Sequence, residues 1–422
     1  MKKLFYSPKH KNIVLGIMFS NAGTIAYTTA LSLYILEVTQ SVMALSVSLL
    51  LNTLPIILAS LISGIVADRF NKLKIIVRMD TLRIFLGTIV LIAILSIHNP
   101  QSTISLIYLQ IVVFAILETF QTSSYQAILP DVLSNDELLT MNSTISGFGE
   151  FISLISPVIG TFIYTIFGIF GIFLFLILSI LISIYYEIKI DYIYKREDSI
   201  KDPKILPIIK EEIRDTRNLL KYDVRVTSLY FNGFATHLFL TPFIGIGLPY
   251  IVKTILNGSD LQFGMLSALT AVGGLMAVLI VKMLHSQNVS QSILVGILGM
   301  ILGSLGFAFL MFPEFIIYLK HHTILATVIL GFILIIIYTA FGYYGIYFST
   351  FLQQTISSKT IGKGMSMIML FNSSGRLIGY ILFGYLFNTN LWLPVVFLMA
   401  GMFSKILIHV PFLCYDKNKE IK

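Results

Sequence analysis

Two long apolar runs parted by a very short charged turn constrain this chain more than any other feature. The first run extends from about Met43 to Ala67 and stops at Asp68-Arg69-Phe70-Asn71-Lys72-Leu73-Lys74; the second starts at Ile75. Each run is long enough to cross a bilayer as a helix. So short a turn makes the two an antiparallel pair, and its basic residues place it on the cytoplasmic side. The parts of the turn have separate physical roles. Gly64 has no side chain, so a neighbouring helix can approach its backbone. Asp68 is an anion at the membrane edge, where the N-terminus of another helix would hold it. Asn71 is a residue that tolerates a left-handed turn. Arg69, Lys72 and Lys74 are placed to meet anionic headgroups.

The chain has 422 residues, 56% of them apolar and only 12% charged, with 32 Phe and 21 Tyr. No soluble domain needs that much apolar surface, so the class is an all-α membrane protein with many spans. The formal charge of +8 does not point to nucleic acid, because the bases fall mostly in short loops and tails. The single cysteine, Cys414, excludes a disulfide framework or a thiolate metal cluster. There is no metal-ligand cluster and no phosphate loop, so no enzyme chemistry, metal or cofactor is expected. The N-terminus is basic and then apolar, like a signal peptide. It lacks a convincing cleavage site, and Ile13 to Leu36 is long enough to span, so it reads as a retained first helix.

Spans follow at about 13–36, 43–67, 75–97, 103–126, 138–166 and 169–190, then 226–252, 261–284, 290–312, 323–350, 363–387 and 391–413. Ser134-Asn135-Asp136-Glu137 has capping-box spacing ahead of the fifth. Residues 191–225 turn charged, with an apolar face of Ile208, Ile209, Ile213 and Leu220 at helical spacing. That stretch reads as a cytoplasmic linker with an amphipathic helix. The expected organisation is a six-helix bundle over 1–190, the linker, and a second bundle over 226–422, with both termini cytoplasmic. The halves echo each other weakly: Asn21 and Asn232 each precede a glycine closely, and Asn142-Ser143 is matched by Asn372-Ser373. Two such halves around a midplane site are a transporter plan.

The loop Gly64-x-x-x-Asp68-Arg69-x-x-Lys72-x-Lys74 resembles the signature of the major facilitator superfamily of secondary transporters, with Asn71 where the family usually has glycine. The run Ala127-Ile128-Leu129-Pro130-Asp131-Val132, then Glu137-Leu138 and Asn142-Ser143, resembles a subgroup of drug and macrolide exporters. So do Glu37-x-Thr39-x-Ser41-x-x-Ala44 and the Asp80-x-x-Arg83 pair. Ser156-Pro157-Val158-Ile159-Gly160-Thr161 is a degraded form of the exporter motif of the fifth span. The fourth span lacks the arginine of many drug:proton exporters. The resemblance implies twelve helices in two bundles and a cavity lined by the first, fourth, seventh and tenth. It implies a plasma-membrane protein, monomeric, exporting amphipathic small molecules against protons. A siderophore or lysolipid exporter and an uncoupled facilitator are alternatives within transport; a sensor or scaffold that does not transport is the alternative outside it.

Charge inside a span is costly and is therefore paired or functional. Asp80 and Arg83 share a face one turn apart and read as a structural pair. Glu118, Glu150 and Arg376 lie deep in their spans. Glu118 is the leading candidate for a proton-titrating group and Arg376 for its partner. Asn21, Tyr27, Asn232 and His237 would supply polar contacts to substrate. Gly296, Gly299, Gly303 and Gly306 form one face of the ninth span. Gly375 and Gly379 are expected to let the eleventh lie against the second near Gly64.

Overall fold

The breaks between helices are set by side chains that cap them. Ser41 accepts a hydrogen bond from Ala44 N, Asn99 from Gln101 N and Asn288 from Gln291 N. Glu137 closes the capping spacing by accepting from Ser134 N at 2.9 Å. Each such bond satisfies a donor that the first helical turn leaves without a partner. The computed structural model describes residues 8–97, 99–193, 223–284, 288–355 and 361–420. The expected amphipathic helix of the linker lies outside them.

In chain order the long helices are α1 (Pro8–Thr39), α2 (Val42–Arg69), α3 (Lys72–Ser96) and α4 (Pro100–Val132). Asn135–Glu187 is one assignment broken at Gly168, where φ is 61° and ψ −154°, so it comprises α5 (135–167) and α6 (169–187). Then come α7 (Val224–Ile255), α8 (Asp260–Leu284) and α9 (Val289–Leu310). A short helix, Pro313–His321, precedes α10 (Thr323–Thr355), α11 (Ile361–Thr389) and α12 (Trp392–Glu420). Ten stretches among the described residues are long and apolar enough to cross a membrane. One of them, Thr144–Glu187, holds both α5 and α6. The 29-residue α11 is the twelfth helix of the plan.

α7 is not uniformly wound. Thr236–Leu240 and Ile251–Ile255 are π-helical turns, a winding found mostly at functional positions. At its start Asp223 caps Arg225 N and pairs with the Arg225 guanidinium at 2.7 Å. Partial burial pushes the Asp223 carboxyl up, but the Arg225 hydrogen bonds outweigh it and hold the group below its ordinary range.

The chain divides into two compact units. Unit 1 is Met1–Asp198 with Ser259–Ala268, and unit 2 is Ser199–Gly258 with Leu269–Lys422. The first turns of α8 thus belong with α5: Gly264 is pressed against Thr161 Oγ1 and Pro157 O, with no room for a Cβ. Unit 1 has an apolar core of Ile13, Val14, Ile76, Ile128, Leu129, Met141 and Ile190 at one end. Unit 2 centres on Phe243, whose ring meets Phe307, Phe387 and Phe383 at 5.0, 5.5 and 5.9 Å. The α9 glycines pack on Tyr344, Ala340, Ile337 and Ile333 of α10. Gly375 and Gly379 correct the expectation that α2 would fill the face they open. The α7 backbone at Phe234 and Leu238 fills it. Large side chains such as Phe85, Phe167, Phe309 and Phe332 stay exposed, as a lipid-facing surface requires.

Candidate functional site

Unit 1 encloses a charged cluster where α1, α3, α4 and α6 meet. Asp80 and Arg83 stand one turn apart on α3, and the exposure of each is 1% or less. Arg83 Nη1 donates to Asp80 Oδ1 at 3.1 Å and lies 3.3 Å from both Ser20 Oγ and Gln121 Oε1. Its Nη2 donates to Thr24 Oγ1 at 2.6 Å. Its guanidinium carbon is 5.6 Å from the centre of the Phe114 ring. One arginine therefore ties α1, α3 and α4 together.

Glu187, at the end of α6, is also fully buried. Its Oε1 accepts from Tyr125 OH at 2.7 Å, and Ser183 Oγ lies 2.8 Å from it. Ser183 Oγ is equally 2.8 Å from Gly16 O, so its one hydroxyl proton serves one acceptor at a time. Glu187 and Asp80 both lie near enough to act electrostatically on Tyr125. α1 can approach because residue 16 is glycine: a Cβ there would lie 3.0 Å from Tyr125 OH and 3.3 Å from Glu187 Cγ.

Unit 2 holds a cluster of the opposite sign. Lys405 on α12 is fully buried. Its Nζ donates to Thr236 Oγ1 and, at 3.3 Å, to Asn232 O, and it sits 4.3 Å from the centre of the Tyr344 ring. No ion pair to it exists among the described residues. One turn on, His409 Nε2 donates to Ser290 O at 2.8 Å. Arg376 and Lys405 both lie near enough to act electrostatically on His237, which stands in the first π turn with Nδ1 3.2 Å from Thr241 Oγ1.

The residues singled out from sequence are placed as follows. Tyr27 is buried, and its hydroxyl donates to Gln110 Oε1 at 3.0 Å. Asn232 is buried, with Nδ2 donating to Ser228 O at 3.3 Å. Arg376 is half-buried, and its Nη2 donates to Ser373 Oγ at 3.1 Å. Glu118 is half-buried on α4, whereas Glu150 and Asn21 are exposed. Glu118 and Arg376 belong to different units.

In the signature loop, no atom of the described residues lies within 4 Å of a Cβ built on Gly64. Asn71 is not left-handed. With φ −63° and ψ 105° it is the N-cap of α3, and its Oδ1 accepts from Lys74 N at 2.9 Å. Lys72 pairs with Asp131 in the last turn of α4, which extends past the expected end of the fourth span, and Tyr192 OH donates to the same carboxylate at 3.3 Å. Arg69 is half-buried and Lys74 exposed. The Asp68 side chain and those of 361–367 lie outside the described residues.

Sequence reasoning passes over Glu187, Lys405 and His409. Glu187 stands at the end of an apolar run, beside Lys189 and Asp191, where a charge reads as topological. Its only local sign is the Ser183/Glu187 spacing of one turn. Lys405 and His409 interrupt the apolar run of the last span, which is the same signal that marks Glu118.

The family described as the Major Facilitator Superfamily matches residues 13–379. The fold is similar to a mutant of the nucleoside transporter NupG, with TM-score 0.72 and 14% identity over 97% of this chain and 99% of that one. It is also similar to a bacterial homologue of the iron transporter ferroportin in an inward-facing state, with TM-score 0.69 and 14% identity over 95% and 97%. A D-xylose-proton symporter matches with TM-score 0.69 and 12% identity over 96% and 97%. At such identities the likeness is one of fold. No curated protein sequence matches the chain.

Proposed function

The chain belongs to the major facilitator superfamily, and on that premise we propose that it is a proton-driven exporter of amphipathic small molecules working by alternating access. The observation that carries the reading is ionisable groups enclosed within the spans: Asp80, Arg83 and Glu187 in unit 1, and Lys405 in unit 2. Such groups are expensive in a bilayer protein and mark ion or substrate pathways. The resemblance of the Pro130-Asp131 run and of Asp80-x-x-Arg83 to drug and macrolide exporters supports export of that substrate class. Glu118, Glu150, Asn21, Tyr27, Asn232, His237 and Arg376 are the proposed substrate or proton contacts. The Gly64–Lys74 loop is the proposed gate element, with Lys72 on Asp131 as one of its ties.

The working form is a monomer in the plasma membrane with both termini cytoplasmic. A cysteine at Asn99 should then react with an impermeant thiol reagent from outside; reaction only from inside would reverse the orientation. The function is tested in inverted vesicles with ethidium and erythromycin as probes. Accumulation that appears with an acid interior and collapses when the pH gradient is dissipated is expected. Accumulation of either probe that ignores the gradient would leave an uncoupled facilitator, and none at all would send the search to siderophores and lysolipids.

A further inference from the structure

We propose that Arg376 grips the carboxylate of an amphipathic small acid, so that the preferred members of the exported class are acids. This rests on the export reading and narrows its substrate class.

The spans of unit 2 carry cations and no acid. Between Asp223 and Asp416 the sequence has only two carboxylates, Asp260 and Glu314. The first belongs to unit 1, and the second opens the short helix Pro313–His321, outside the spans. Arg376 and Lys405 therefore stand in their helices without a formal counter-charge from the same spans. Lys405 is nonetheless complete: a carbonyl, a hydroxyl and an aromatic ring face an ammonium with three protons. Arg376 is not. Its guanidinium donates from three nitrogens, and the one acceptor it meets among the described residues is Ser373 Oγ, 3.1 Å from Nη2. Its Nε is buried without an acceptor. Asn372, one turn earlier, does not serve it. The Asn372 Oδ1 is turned to α7, 2.7 Å from where a Cβ on Gly233 would stand, and is itself buried without a donor. A guanidinium with open N–H groups fits a planar anion, because its fork matches two carboxylate oxygens.

The surroundings suit the rest of such a molecule. A guanidinium within a span faces the bundle interior or a water-filled path rather than lipid, so the exposed part of the half-buried Arg376 is on that path. α11 reaches α7 through Gly375, where a Cβ would lie 3.4 Å from the backbone carbon of His237. The His237 ring is 6.3 Å from that of Phe341 on α10, and Phe341 is 6.2 Å from Tyr338. These three are half-buried as well. An acid held at Arg376 thus has an imidazole and, behind it, two aromatic rings for its apolar body. The charge fixes orientation and the rings supply area, the usual division of labour in a small-molecule site. Lys405, bonded to the same stretch of α7 at Asn232 and Thr236, adds a second positive charge that favours an acid over its neutral analogue.

The test uses the purified full chain in phosphatidylcholine nanodiscs, with protein-free discs subtracted, and three probes of similar shape: 2-naphthoate, 2-naphthamide and 2-naphthylmethylammonium. Calorimetric binding needs no gradient and no transport. Wild type should bind naphthoate at least about tenfold more tightly than the amide, the size of one charge-assisted hydrogen bond, and the ammonium least of all. Arg376→Gln should bind acid and amide alike. Arg376→Lys should keep part of the preference, since it retains the charge and loses the fork. Equal binding of acid and amide by wild type would overturn the proposal. So would a preference undiminished in Arg376→Gln or in Arg376→Lys, either of which suffices if the other fails to fold. A preference that appears only in Glu118→Gln would give Arg376 a counter-charge from this chain, and would overturn it too. Accumulation in vesicles separates the site from the export reading. Acid-selective binding lost in Arg376→Gln, with no naphthoate accumulated by wild type, would keep the site and remove export. Accumulation of acid and amide alike, with equal binding, would keep export and remove the site.

Discussion

The two units bury cations by different means. Arg83 in unit 1 is held by a carboxylate of its own helix and by side-chain oxygens from α1 and α4. Lys405 in unit 2 is held by a backbone carbonyl and a hydroxyl of the one helix α7, with the Tyr344 ring of α10 above it. The first is a cation matched by a formal charge, the second a cation matched by dipoles. The hydroxyl that Lys405 uses belongs to Thr236, the first residue of the π turn Thr236–Leu240, where winding departs from the α-helical hydrogen-bond ladder. The lesson concerns what each cation leaves behind. Removing Arg83 strands a buried carboxyl, whereas removing Lys405 strands only groups that already bond each other, since Thr236 Oγ1 donates to Asn232 O at 2.9 Å.

The same replacement in both places breaks or sharpens this contrast. Arg83→Met should cost about 3–5 kcal/mol, the usual penalty for leaving one partner of a buried ion pair alone. Its thermal unfolding in detergent should be far below wild type and its abundance low. Lys405→Met should cost only about 1 kcal/mol, the net worth of a hydrogen bond. Equal losses in the two variants would show that Lys405 has a counter-charge of its own.

Glycine packing should show no such contrast, because backbone meets backbone in both units. Gly160 abuts Ala26 on α1, and Gly379 abuts Leu238 on α7. Alanine at either should cost about 1–3 kcal/mol through overpacking, read as lowered unfolding temperature. The smallest effect belongs to Gly64→Ala, whose added methyl meets no atom of the described residues within 4 Å and which should leave the unfolding temperature unchanged. A large loss there would mean that another conformation, in which a helix does lie on Gly64, dominates in detergent.

These contrasts also mark what can be read from residues alone. The spans are legible because apolar length is a one-dimensional property, and the breaks at Ser41, Asn71 and Asn99 carry capping residues. Asn71 itself shows the limit. Its side chain serves both left-handed turns and N-caps, and only the backbone angles choose between them. The π turns of α7 have no sequence signature, and the Lys405 contact at Thr236 joins residues 169 positions apart. Glu187 is least legible of all. Its meaning depends on Tyr125, 62 positions earlier in the chain, so the contact exists only once α4 and α6 are side by side. Partner helices behave likewise: Gly375 and Gly379 announce a close approach but not that α7 makes it.

Gly168 is the single non-helical residue between α5 and α6. Its φ of 61° and ψ of −154° belong to a region open essentially to glycine alone. A single residue reverses the chain there, so α5 and α6 have no connecting segment to expose on their side of the membrane. A residue with a side chain at 168 would be driven out of this backbone region and would splay the two helices at the turn.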